Sequence, residues 1–103
     1  MRYYDVDENE IQIGSRVIVV DEYGFADNLN TVGKIGTVIE EDDYYDIGVS
    51  FDERIEGGHD CRGATKYGYG YYGYARQVRL YEDQNVDISM PFDAFMAEIT
   101  SAE

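Results

Sequence analysis

The chain has 103 residues, 22 of them acidic and 8 basic, a formal net charge of −14. That balance speaks against direct binding to DNA, RNA or an anionic membrane, which need Lys and Arg to displace counterions. It leaves cations, or a protein with a basic surface, as partners.

The 11 tyrosines make the chain too aromatic for a disordered acidic tail, and its length suits one domain with a modest core. Cys61 is the single cysteine, so no internal disulfide is available. No charged-then-apolar leader and no bilayer-length apolar run is visible, and a cytoplasmic protein is expected.

Residues 1–10 mix tyrosine with acids and suit an N-terminal arm or edge strand. Ile11 and Ile13 alternate with Gln12 and open a strand, which Gly14 and Ser15 turn. In residues 16–21, Val17 and Val19 point one way and Ile18 and Val20 the other, which predicts a strand covered on both faces. Residues 21–32 form a long excursion with one helical turn around 25–29, Phe25 and Leu29 packing it down as satellite core. Residues 33–52 are central: strands over 34–40 and 45–51 flank a charged, solvated turn. Tyr45, Ile47, Val49 and Phe51 alternate with Asp46, Gly48, Ser50 and Asp52, which predicts one apolar and one wet face.

Residues 53–74 hold six glycines and five tyrosines, an excursion or distorted hairpin that presents rings. Residues 75–81 supply the last strand, with Val78 and Leu80 inward and Gln77 and Arg79 outward. A polar linker follows over 82–90. Phe92, Phe95, Met96 and Ile99 then fall at helical spacing behind Pro91, which predicts a helix over 91–101. Its stripe lands on the rest of the domain or on a second copy, so a homodimer is open.

The succession Gly14-Ser15-Arg16-Val17, Gly33, Gly36-Thr37-Val38, an acidic turn, Gly48-Val49-Ser50-Phe51-Asp52, a glycine-rich loop with His59, and Val78-Arg79-Leu80 resembles the small SH3-like β-barrels of the mind-bomb repeat type and their short bacterial and phage relatives, over residues 14–81. The resemblance implies a five-stranded SH3-like barrel over 11–81 with long loops; joined to the C-terminal α-helix read from its spacing, the chain is expected to be mainly β. The resemblance also implies a recognition module. The chain departs from that pattern in its acidity, its Gly-Tyr loop and its terminal helix.

His59 and Cys61 are the only nucleophile-and-base pair in this region, but a thiol enzyme needs a third group orienting the base. Zinc needs two further ligands at a recognisable spacing, and no calcium-loop pattern surrounds Asp52, Glu53, Glu56 and Asp60. No catalytic residue, cofactor or metal is therefore expected. Two sets are candidates for partner binding. The acidic set is Glu40, Glu41, Asp42, Asp43, Asp46, Asp52, Glu53 and Glu56. Alternate strand residues lie about 6.6 Å apart, close to the roughly 6.8 Å of two steps along one DNA strand. The aromatic set is Tyr67, Tyr69, Tyr71, Tyr72 and Tyr74, rings with large contact area and low entropy cost. Together they predict an acidic, DNA-mimic-like inhibitor or decoy, of the kind a phage aims at a host nuclease, that occupies a basic nucleic-acid-binding surface. The alternative is an SH3-like module binding a peptide or assembly partner in an aromatic groove.

Overall fold

A computed structural model describes residues 2–81. The linker expected at 82–90 and the helix expected at 91–101 lie outside the described residues.

The chain is mainly β, in two antiparallel sheets. β1 (Tyr3–Tyr4) pairs with β2 (Glu10–Ile11). β3 (Arg16–Val19), β4 (Ile35–Glu41), β5 (Ile47–Phe51), β6 (Gly70–Gly73) and β7 (Val78–Leu80) form a five-stranded sheet in the order β6-β5-β4-β3-β7. The sheet does not close: β6 and β7 are its two edges, so the barrel expected from the resemblance is an open sheet here. Strand alternation puts Val17 and Val19, Val38, Ile47, Val49, Phe51 and Val78 on one face, where they join Ile11, Phe25 and Ile55 in a single core. Each such side chain contributes roughly 1.5–3 kcal/mol on burial.

The covering of the strands differs from expectation in two places. β3 is buried on one face only: Ile18 is half-buried and Val20 exposed, because no described element covers that side. In β5 the face expected to be wet is partly closed. Gly48 is buried under Tyr72, and Ser50 Oγ is 2.7 Å from Thr65 Oγ1 of the overlying loop.

The elements between and beside the strands shift as well. Ile13 is exposed, since β2 ends at Ile11 and the chain is already turning, Ser15 N–H donating to Gln12 C=O. The helical turn expected around 25–29 is instead a 3-10 turn at Leu29–Thr31, and of its two anchors Phe25 is sealed in the core while Leu29 is 66% exposed. A tight turn places Phe25, with Ala26 and Asp27 in the left-handed region at φ 51° and 65°. Before β7, residues Ala75–Gln77 form a second 3-10 turn, not strand, because Gln77 N–H bonds back to Tyr74 C=O.

One irregularity positions the functional surface. β4 and β5 pair Val38 with Val49 but Glu40 with Gly48, so Ile39 is an extra residue, a β-bulge. A bulge re-aims the side chains beyond it. Without it Glu40 would follow Val38 into the core; with it Glu40 lies on the outer face beside Gly48 and Tyr72. Gly48 gives them room: a Cβ would fall 3.0 Å from both Glu40 Cγ and Tyr72 Cε1, so both side chains would have to yield. The other glycines of this sheet obey the same logic. A Cβ on Gly73 would strike the Phe25 ring at 2.6 Å, and one on Gly70 would strike Cys61 Sγ at 2.7 Å. The Gly70–Gly73 part of the Gly-Tyr run is thus a strand whose glycines admit close neighbours on both faces.

The opposite edge is tied down by a buried acid. Asp5 Oδ1 accepts from the N–H groups of Asp7 (2.9 Å) and Asn9 (2.8 Å), and Oδ2 from that of Leu80 (2.8 Å). Burial pushes its pKa up, but these hydrogen bonds outweigh burial and hold it below the usual carboxylate value. Val6 N–H adds a bond to Val78 C=O at 3.0 Å, so the β7 edge is covered and not left open for strand pairing.

Candidate functional site

The β4–β5 connection is built around Asp42. Its Oδ2 accepts from the N–H groups of Tyr44 (3.0 Å) and Tyr45 (2.8 Å), a side chain closing its own turn. Asp42 N–H bonds Asp46 C=O at 3.0 Å, Asp46 N–H bonds Gly73 C=O at 3.0 Å, and Asp46 Oδ2 accepts from Ala75 N–H at 2.9 Å. The turn is therefore fastened to β6 and to the 3-10 turn behind it. The Tyr45 N–H bond, and after it burial opposed by Arg62, leaves the Asp42 pKa lowered, so the group stays ionised.

Four rings collect on this frame. Tyr44 meets Tyr45 edge-on at 4.9 Å, Tyr45 stacks with Tyr72 at 6.3 Å, and Tyr45 lies tilted against Tyr74 at 5.5 Å. Tyr44 is 81% exposed and Tyr74 42%. Burial, then the nearby Tyr45, Tyr44, Asp46 and Asp27, raises the Tyr74 pKa, so it stays a neutral donor.

A polar network anchors the inner ring. Tyr72 donates its hydroxyl to Glu40 Oε2 at 2.7 Å, and Arg62 Nη2 donates to the same oxygen at 2.7 Å and to Asp42 Oδ1 at 2.9 Å. The Arg62 guanidinium also lies 4.9 Å over the Tyr72 ring, a cation–π contact. Burial first, then the bond to Glu40, raises the Tyr72 pKa strongly. Arg62 reaches this position from a turn in which Cys61 and Arg62 both have positive φ, 50° and 60°.

The predicted acidic set divides. Glu40 and Asp42 are held by Arg62, Asp52 by Arg16 at 2.6 Å, and Glu53 by Lys34 at 3.1 Å. Asp46 is committed to backbone N–H. Glu41, Asp43 and Glu56 are exposed and make no ion pair among the described residues. No continuous row of free carboxylates runs along the hairpin.

The predicted aromatic set divides too. Tyr72 and Tyr74 join the cluster. Tyr71 packs against the core beside His59, ring centroids 5.6 Å apart. Tyr69 lies under the Lys66 ammonium at 5.3 Å, and Tyr67 stands exposed beside a separate groove. Tyr44, Tyr45 and Arg62 are the members that reading for glycine-spaced rings missed. The paired tyrosines in an acidic turn were the available signal; nothing local pointed to Arg62.

Cys61 and His59 do not face each other as nucleophile and base. The His59 Nδ1 accepts from the Cys61 backbone N–H at 3.0 Å. Burial pushes the fully enclosed thiol up to about 11, with Glu40 adding to the shift. Among the described residues no three His, Cys, Asp or Glu side chains are grouped to hold a metal, and no helix is long and apolar enough to cross a membrane.

Comparison with family models, with curated proteins and with solved structures finds no match to this chain.

Proposed function

We propose that this protein is a non-enzymatic recognition module that docks on a basic surface of another protein through the rings of Tyr44, Tyr45, Tyr72 and Tyr74 and the carboxylates beside them. The observation that carries this reading is the exposure of Tyr44, on a turn closed by Asp42, and of Tyr74, at the start of the 3-10 turn to which Asp46 fastens it. Rings held in place before binding lose little entropy on docking. Glu41 and Asp43, left without cations of their own, supply the attraction for Lys or Arg on the partner and make association salt-sensitive.

The inhibitor form of the proposal places the partner's nucleic-acid-binding surface, that of a nuclease for example, against this patch. The net charge of −14 favours it. The internal pairing of Glu40, Asp42, Asp52 and Glu53 gives the rings, and not phosphate mimicry, the larger share of the contact.

Affinity capture from a bacterial lysate tests both. The wild-type chain is expected to retain basic proteins that high salt releases, and Tyr44→Ala with Tyr74→Ala to lose them. Competition by added DNA identifies the inhibitor form. Undiminished capture by the double variant overturns the proposal.

A further inference from the structure

Arg2, Arg16, Arg62 and Arg79 each meet a carboxylate within the chain. Arg54 and Arg76 meet none among the described residues, and of the two it is Arg54 that lies over a glycine-lined groove. Carboxylates are not scarce beside it: Glu53 is its neighbour but turns to Lys34, and Glu56 lies two residues on. The Arg54 guanidinium is instead laid over the backbone of Gly68, where a Cβ would fall 3.0 Å from its Cζ and Nη1. Gly68 has φ +95°, and a Cβ on the facing Gly58 would fall 2.4 Å from Gly68 O. Two backbones thus cross closely enough that only glycine fits, and a groove of about 320 Å³ opens between Arg54 and Tyr67 above Gly57, Gly58 and Gly68. Tyr67, 66% exposed, is the one ring of the Gly-Tyr run with no ring or cation partner among the described residues that also borders a cavity.

We propose that this groove binds a monocarboxylate joined to an aromatic or apolar body. The guanidinium fork matches a carboxylate with two parallel N–H···O bonds, and the Tyr67 ring receives the body. Glu56 also lines the groove; with the negative charge of the whole molecule it opposes any anion, a dianion more than a monoanion, since repulsion scales with ligand charge. A phosphate monoester of the same shape therefore binds more weakly than the carboxylate. The site shares no residue with the Tyr44–Tyr74 cluster and stands or falls apart from it.

The test is a titration of the full chain followed by amide and Arg Nε–H resonances. The probes are phenylacetate, phenylacetamide, phenyl phosphate, and a short peptide ending in phenylalanine with a free or amidated terminus. Phenylacetate is expected to move Gly57, Gly58, Gly68 and Arg54 saturably, with phenyl phosphate weaker and phenylacetamide inert. Arg54→Gln is expected to lower affinity tenfold or more, Arg54→Lys less, and Tyr67→Ala severalfold; Arg54 is exposed, so these variants fold. Tyr44→Ala with Tyr74→Ala leaves the titration unchanged. Tighter binding of the free-terminus peptide than of phenylacetate assigns the carboxylate to a chain terminus; equal binding assigns it to a small acid. Equal shifts from the amide, equal affinity for the phosphate, or saturable binding that survives Arg54→Gln overturns the proposal, as does the absence of any saturable shift.

Discussion

Asp5 and Asp42 are both buried carboxylates that close a tight turn with backbone N–H groups, in a chain already overloaded with negative charge. Their surroundings differ. Asp5 has three backbone donors and no ion pair among the described residues, and its third donor comes from the far strand β7. Its turn carries Asp7, Glu8 and Asn9, of which Asp7 reaches across to Arg79 at 2.6 Å. Asp42 has two backbone donors and Arg62, and its turn carries Tyr44 and Tyr45. One device thus fastens a sheet edge at one place and holds rings toward solvent at another. What the turn displays, not how it is closed, separates structure from recognition.

The comparison breaks most visibly at Asp5. Asp5→Ala leaves three N–H groups in or near the interior without an acceptor, and should cost about 3 kcal/mol in urea unfolding. Asp42→Ala is expected to cost less, about 2 kcal/mol, because its turn is more exposed to water. Equal losses would remove the distinction between a fastening acid and a platform acid.

Acid should act through these two groups and through Asp52. The folded-state pKa values of Asp5, Asp42 and Asp52 all lie below the ordinary 3.8. A carboxylate lowered by folding stabilises the native state above its unfolded pKa and loses that contribution as pH falls through the folded value. Wild-type stability is therefore expected to decline below about pH 4, and the Asp5→Ala chain to show a shallower decline. The measurement is the urea midpoint against pH.

Tyr44→Ala with Tyr74→Ala sharpens the comparison from the other side. Both rings are largely outside the core, so stability should move by no more than about 0.5 kcal/mol. Binding to a captured partner should weaken at least tenfold, about 1.4 kcal/mol. The smallest effect is expected at the ion pair between Asp52 and Arg16: Asp52→Asn should cost about 0.5 kcal/mol, in the range of exposed pairs, and leave capture unchanged.

The sheet was legible where period-two alternation is strong. Ile47, Val49 and Phe51, Val17 and Val19, and Val78 and Leu80 all point as their spacing predicts. Phe25 was legible as an anchor, but Leu29 was not, because a turn through left-handed Ala26 and Asp27 redirects the chain between them. The site was less legible. Whether Tyr71 or Tyr72 faces core or cluster depends on the register of β6 against β5, which is decided by pairing between segments far apart in sequence, Ile47 with Gly73 and Ser50 with Gly70. The bulge at Ile39 leaves no mark in the local pattern, yet it alone turns Glu40 outward to Tyr72 and Arg62. Likewise, counting acids could not say which of them are already answered by Arg16, Lys34 and Arg62.

The most direct test of the central claim is a titration of the full chain with a short arginine-rich peptide, followed by the ring resonances of all tyrosines together with the backbone amides. If the exposed turn is the docking surface, the saturable shifts gather at Glu41, Asp43, Tyr44, Tyr45 and Tyr74, and the double ring variant loses them. Shifts spread over the molecule in proportion to its exposed carboxylates, and unaffected by that variant, would contradict the account.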